Sequence, residues 1–472
     1  MTGDPAARSR PRRDLSNADT LLVGARILTV NAEREIIRDG AICVRKDRIH
    51  DVGPRMLIEE RYPDALFQDV TGKTIVPGLI NTHAHLFQTL LKGLGDDRSR
   101  TEWGVGVVRP SAVQLTGQEV YAAARHGCSE SIRSGVTTLV DFAYGNPSEQ
   151  LTEAVILAFE EIGMRGIVAR GYVTASLHNG AQDTLLEDAD EALADAERLI
   201  RAHNHRGGRV QVGFGPSMIW GVDERTLRLT RELADSLHVP ITIHLAETRS
   251  DVDHALRTYG MSEAEFLEQI GFLGPDVLAV HCVHCSVEDI ELLAAHDVKV
   301  SYNPISNMFL GTGAAPLPEM LDAGLTIGLG TDGAVSNNNL NMIQCMKFAA
   351  LLAKGSGGDS AVLTRERVLE MATIEGARAL GLDSEIGSIE PGKKADLVVM
   401  DLADFSVTPI HNAVSALVYS ALGNEPEMVL IDGRIVMADR TLQTVSEVEV
   451  LREAERAAMD LAHRVETASL GS

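Results

Sequence analysis

Between Thr74 and Asp332, eight short apolar runs alternate with stretches whose apolar residues recur at helical spacing, and this alternation restricts the fold more than any other feature. The runs are TIVPGLINTHAH, VTTLVDFAY, GIVARGYV, VQVGFGPS, VPITIHLAE, VLAVHC, VKVSYNP and LTIGLGTD. Segments such as EQLTEAVILAFEEIG and DERTLRLTRELADSLH lie between them. Their period of three to four residues is that of a helix with one buried face. Repeated strand–helix units predict an α/β fold, a (β/α)8 TIM-like barrel with parallel strands.

On either side the texture changes to short alternating runs broken by Gly or Asp. TLLVGARILTV, GAICVRKDRIHDVG and FQDVTGKTIV stand near the start, GKKADLVVMDL and EMVLIDGRIVMADRTL near the end. Such runs read as hairpins. Their placement predicts a small β-sandwich domain built from both chain ends, residues 18–75 and 385–445, around a catalytic barrel at 76–384. Residues 1–17 read as a disordered leader with clustered Arg. Residues 446–472, containing VLREAERAAMDLAHRVE, read as a C-terminal helix on the outside.

Composition removes several functions. With 43 Lys plus Arg against 67 Asp plus Glu, the 472-residue chain carries a formal charge of −24. Such a surface repels phosphate backbones, so no nucleic-acid partner is expected. No basic amphipathic stretch and no long apolar run points to a membrane. Five scattered cysteines, an odd number, argue against a disulfide framework and for a reducing cytoplasm.

Barrel enzymes carry their chemistry at the carboxyl ends of strands. The first barrel strand ends in His83-Ala84-His85, the fifth in His244 with Glu247 following, the sixth in His281 and the eighth in Asp332. Residues i and i+2 of a strand share a face, so His83 and His85 reach one point. Any one of these is ordinarily a core histidine or a helix cap. Together at one end of four strands they form the donor set of a catalytic zinc or iron(II) with an open position for water. His203 and His205, in RAHNHRGG, read as solvated. Cys282 and Cys285 lack a second cysteine pair and read as buried thiols. His284 lies just past the sixth strand, within reach of a substrate.

PGLINTHAH, HLAE, VHCVH, NPISNM and LGTDGAVSNNN, in that order, resemble the amidohydrolase superfamily, and within it the mononuclear aminohydrolases. That branch holds S-adenosylhomocysteine/methylthioadenosine deaminases, guanine deaminases and s-triazine hydrolases. The resemblance spans roughly residues 20 to 440. It implies His83, His85, His244 and Asp332 as ligands of one divalent metal, Zn2+ first and Fe2+ second. It implies Glu247 as proton shuttle and His281 as the residue orienting the water. The chain has no lysine between Lys92 and Lys299, so the carboxylated lysine of binuclear members is unavailable. The implied reaction is hydrolytic deamination: an activated water attacks a ring carbon, an exocyclic amine leaves and a carbonyl remains.

The implied substrate is a small nitrogen heteroaromatic of pyrimidine, purine-base, pterin or s-triazine type. Nucleoside deaminases of the group hold ribose with a Glu in the loop after the first strand. Aligning Trp103 and Pro110 with that loop places Ala112 there, which argues against a ribose-bearing substrate. From Lys299 onward the resemblance is to melamine deaminase and atrazine chlorohydrolase. It makes Gln88 and Asp251 pocket residues, and Trp103, His284 and Ser336 join them as substrate-binding candidates. Gly333-Ala334-Val335 departs from the triazine pattern. Alternatives are triazine chlorohydrolase or alkylaminohydrolase chemistry, an S-adenosylhomocysteine/methylthioadenosine deaminase, a cyclic-amide hydrolase and a non-catalytic binding relative. A homo-oligomer, dimer or tetramer, is expected.

Overall fold

The computed structural model describes residues 19–144, 150–175, 185–205 and 207–470; the leader expected at 1–17 lies outside them. Strands β1 (Thr20–Leu28), β2 (Ile36–Arg45), β3 (Arg48–Pro54), β4 (Leu66–Asp69) and β5 (Thr74–Pro77) come first. Eight more follow: β6 (Leu79–Ala84), β7 (Val136–Ala143), β8 (Arg165–Tyr172), β9 (Val210–Pro216), β10 (Ile241–Leu245), β11 (Val277–His281), β12 (Lys299–Tyr302) and β13 (Ile327–Leu329). The chain then adds β14 (Leu397–Met400), β15 (Pro426–Ile431), β16 (Arg434–Ala438) and β17 (Thr441–Leu442).

Strands β6 to β13 form one parallel sheet in sequential order. Its two ends meet where the Asp332 N–H donates to the His83 carbonyl at 3.0 Å and Thr331 N–H to Asn81 Oδ1 at 3.1 Å. This is the (β/α)8 architecture. The remaining strands make a separate nine-stranded sheet in which β14, from the far end of the chain, pairs antiparallel with β5. The expected sandwich thus takes the form of one continuous hydrogen-bonded sheet from both ends of the chain. Leu22, Ile27, Ile42, Ile75, Leu397 and Leu430 pack one of its cores, and Leu21, Val23 and Ile58 pack another.

The run TIVPGLINTHAH, read above as one strand, is two. Gly78 separates β5 from β6, and its N–H donates to the Asp396 carbonyl at 2.9 Å. A Cβ on Gly78 would lie 2.0 Å from Thr137 Oγ1, so the chain passes from one sheet into the other only where no side chain intrudes. A proline just before it adds a residue without an N–H to donate.

The outer helix, Glu447–Leu470, buries Val450, Ala454, Ala457 and Leu461 along one stripe. It is tied to helix Gly117–Arg133 by Arg125 with Glu453 and by Arg464 with Glu119.

Candidate active site

His83 and His85 stand at the end of β6, His244 on β10, Glu247 just beyond it, His281 at the end of β11 and Asp332 beyond β13. All six are buried. The nitrogens of His83, His85 and His244 that can ligate lie within 4.8 Å of one another, as do donor atoms of His83, His281 and Asp332. The His83 ring sits 4.6 Å from His85, 5.1 Å from His244 and 5.9 Å from His281, centre to centre. The strands end abruptly around this cluster. Ala246, His281, Cys282 and Asp332 all have positive φ, between 46° and 73°, backbone strain of the kind found where a site dictates the geometry.

Each donor is oriented from behind. His85 Nδ1 donates to the Phe142 carbonyl at 2.8 Å and His244 Nδ1 to the Ser217 carbonyl at 2.8 Å. Both contacts leave Nε2 with its lone pair toward the cluster. Asp332 Oδ2 accepts from Ser306 Oγ at 2.5 Å and Ser336 Oγ at 3.0 Å. Its Oδ1 then faces His83 and His85 Nε2 at 3.4 and 3.3 Å. His281 Nδ1 donates to Asn307 Oδ1 at 2.9 Å. Among the described residues, neither ring nitrogen of the fully buried His83 has a hydrogen-bond partner. Leaving a buried polar atom unpaired is costly, so the donor set fits a divalent cation.

Burial holds the His83 and His244 imidazoles below their ordinary range and lowers His85 to about 3. Burial thus favours the neutral imidazole, the form in which these side chains could hold a cation. Burial pushes the Asp332 carboxyl up, but the neighbouring His83, His85 and His281 pull it further down, well below the ordinary carboxylate range.

The cluster floors a cavity whose walls include Arg100, Trp103, Val108, Arg109, Tyr144, Met218 and Trp220. Of the proposed substrate residues, Trp103 is in the wall. Asp251 lines an adjoining outer cavity, where it accepts from Trp220 Nε1 at 3.1 Å and completes the capping box of Thr248 in the first turn of helix Arg249–Tyr259. Gln88 lies behind the wall, donating to the Tyr144 hydroxyl at 2.9 Å. His284 Nε2 donates to the Thr312 carbonyl at 2.9 Å, and Ser336 is buried on Asp332. Ala112 is fully buried, and from its helix Arg109 reaches the cavity. The thiols of Cys282 and Cys285 are buried and free, and the hydrogen bond between Cys285 and Cys282, together with burial, pushes the Cys285 thiol well up.

Sequence reasoning did not single out Arg100, Tyr144, Trp220, Ser306 or Asn307. The last two lie in NPISNM, whose Pro304 opens the helix that presents them. Arg100 reads in sequence as one more solvated cation. In the fold its Nε donates to both carboxylate oxygens of Glu247, at 2.9 and 3.1 Å.

Imidazoles and carboxylates gathered at the carboxyl rim of a parallel barrel define a barrel protein with a candidate metal centre. The chain belongs to the Amidohydrolase family, whose model matches residues 74–436. It is 38% identical over 448 residues to 5'-deoxyadenosine deaminase of Methanothermobacter thermautotrophicus, covering 95% of this chain and 100% of that one. It is also 38% identical over 427 residues to 5-methylthioadenosine/S-adenosylhomocysteine deaminase of Desulforudis audaxviator, covering 90% and 96%. Among solved structures, an adenosine deaminase from Xanthomonas campestris with bound zinc superposes with a TM-score of 0.89 at 27% identity, over 96% of this chain and 99% of that one. Atrazine chlorohydrolase from Arthrobacter aurescens TC1, complexed with zinc, gives 0.87 at 24% identity over 93% and 100%, a likeness of fold alone.

Proposed function

We propose that this protein is a metal-dependent hydrolytic deaminase of an aminated nitrogen heteroaromatic, with the adenine ring first among candidates. One observation carries the reading: His85, His244, Glu247, His281 and Asp332 line one cavity at the barrel rim, with the buried His83 clustered among them. Near-full-length likeness to adenine-nucleoside deaminases supports it.

His83, His85, His244 and Asp332 would hold one divalent cation, Zn2+ or Fe2+. When bound, such a cation supplies Lewis-acid activation of water at neutral pH. The protein's own groups do the rest. Asp332, ionised and held by two serines, takes a proton from the attacking water. Glu247 carries a proton to the ring nitrogen, which makes the adjacent carbon electrophilic. His281, fixed by Asn307, hydrogen-bonds the incoming oxygen. Carbon–oxygen bond formation and loss of ammonia leave a ring carbonyl; one water is consumed per ammonia released. Trp103, Met218 and Trp220 offer apolar walls for the ring.

The segment after β6 brings two guanidiniums and a buried Ala112 to the wall where a ribose-binding carboxylate was sought. This supports turnover of free bases beside nucleosides. Purified, metal-analysed protein is to be screened for ammonia release from adenine, adenosine, 5'-deoxyadenosine, methylthioadenosine, S-adenosylhomocysteine, pterins, cytosine and melamine. Release from at least one is expected; no release from any overturns the reading.

A cytoplasmic homo-oligomer is part of the same proposal. Five buried free thiols support the reducing compartment. The exposed Val448, Leu451 and Met459 on the outer helix support self-association, which light scattering checks.

A further inference from the structure

Arg100 belongs to a segment that crosses the mouth of the barrel and is fastened at several points to the loop after β13. Gly93 N–H donates to Asn338 Oδ1 at 2.9 Å, and Asn338 Nδ2 donates to Asp96 Oδ1 at 2.8 Å. Gly95 packs so closely that a Cβ there would lie 2.4 Å from the Val335 carbonyl oxygen. Trp103 Nε1 donates to that same carbonyl at 3.0 Å. Between these anchors a single helical turn, Arg100–Trp103, is closed by a capping box of Ser99 with Glu102. The Arg100 guanidinium lies 4.6 Å over the Trp103 ring and reaches across to Glu247 on the β10 side.

Glu247 needs such a partner. It is buried, and among the described residues both of its side-chain hydrogen bonds go to Arg100. A buried carboxylate without a counter-charge turns toward solvent or takes up a proton. Burial presses Glu247 upward most strongly, and the Arg100 charge, the His281 charge and the Arg100 hydrogen bond together outweigh it, so the carboxyl stays below its ordinary value. A single Nε–H shared between both oxygens, on a planar guanidinium stacked over Trp103, holds the donor centred on the carboxylate more firmly than a mobile ammonium would.

We propose that Arg100 is a positioning residue for Glu247, locking the carboxylate in one orientation above the histidine cluster and coupling that orientation to the seating of residues 93–103 over the cavity. The proposal rests on the deaminase reading for the role of Glu247, whereas its structural half stands by itself.

The test is a double-mutant cycle with Arg100→Ala, Arg100→Lys and Glu247→Gln, with a hydrogen-exchange readout. Arg100→Ala is expected to lower kcat by about tenfold or more with metal content and KM within about twofold of the parent. Added guanidinium restores part of that loss, and Arg100→Lys restores less than the parental rate because its ammonium is a mobile point charge without the planar, ring-stacked guanidinium. In the Glu247→Gln background, Arg100→Ala changes kcat by less than about twofold and guanidinium has no effect. Equal losses in both backgrounds, or a parental kcat in Arg100→Ala, overturn the proposal. Amide exchange across residues 96–105 is expected to quicken in Arg100→Ala and to stay near parental in Arg100→Lys. Unchanged exchange in Arg100→Ala overturns the structural half, whatever the substrate. Should Arg100→Ala fail to fold, Arg100→Gln takes its place with the same outcomes. If no heterocycle is deaminated, the functional reading fails while the exchange arm still decides on Arg100.

Discussion

At the scale of single residues, the proposed function divides the six side chains of the site between holding a cation and moving a proton. Glu247 is not needed for a four-donor set, and its carboxylate is aligned by Arg100. Glu247→Gln keeps shape and hydrogen bonding but exchanges no proton at neutral pH. It is expected to retain its metal and bind substrate while kcat falls by about 10²-fold or more. Loss of metal in that variant, measured by elemental analysis, would make Glu247 a ligand instead. His83→Ala and His244→Ala are expected to lose metal and turnover together, with about one equivalent of metal per chain in the parent. Two equivalents, both required for activity, would refute a mononuclear centre. The histidines and Asp332 were legible in sequence because strand periodicity and strand ends place them. Arg100 was not, because its meaning depends on a contact 147 positions along the chain.

At the scale of elements, the site depends on how loops leave strands. β7 carries Asp141, a buried carboxyl that accepts the Leu86 N–H at 2.7 Å, just after the His83–His85 pair. Burial raises it from an ordinary 3.8 to about 7. Between those values the folded chain holds a proton that the unfolded chain releases, so this group's contribution is full at low pH and is lost as pH rises toward 7. Asp141→Asn keeps the acceptor without the titration. Its denaturation midpoint is expected to fall less than the parent's between pH 5 and pH 7.5; identical pH profiles would refute the assignment. Helix Met342–Gly357 begins at Asn341, whose side chain accepts from the N–H groups of Ile343 and Gln344 at 3.1 and 3.2 Å. Asn341→Ala is expected to cost about 1 kcal/mol in chemical denaturation. Strand and helix identities followed from apolar period. The break at Gly78 did not, since one apolar run reads the same whether it stays in one sheet or enters a second.

At the scale of the whole molecule, barrel and outer sheet are joined by a buried ion-pair group. Arg165, the first residue of β8, donates to Asp396 Oδ2 at 2.7 Å and also pairs with Asp432 in the turn between β15 and β16. Arg165→Met removes the cation and leaves the buried Asp396 and the half-buried Asp432 short of a partner. That costs about 3–5 kcal/mol, and calorimetry is expected to show a lower Tm. A parental Tm would show that Lys394 and Arg209, each 3.6 Å from Asp432, already compensate.

The order of strands and helices, the rim position of His83, His85, His244, His281 and Asp332, and the acidic surface were determined by sequence alone, because apolar period and charge count are local or additive. Tertiary structure decided the rest. It merged the end segments into a single sheet, placed Ser306 and Ser336 on one oxygen of Asp332, moved Gln88 and His284 out of the cavity wall and brought Arg100 onto Glu247. Those outcomes depend on which surfaces meet across the closed barrel, and such meetings are set by packing between elements far apart in the chain.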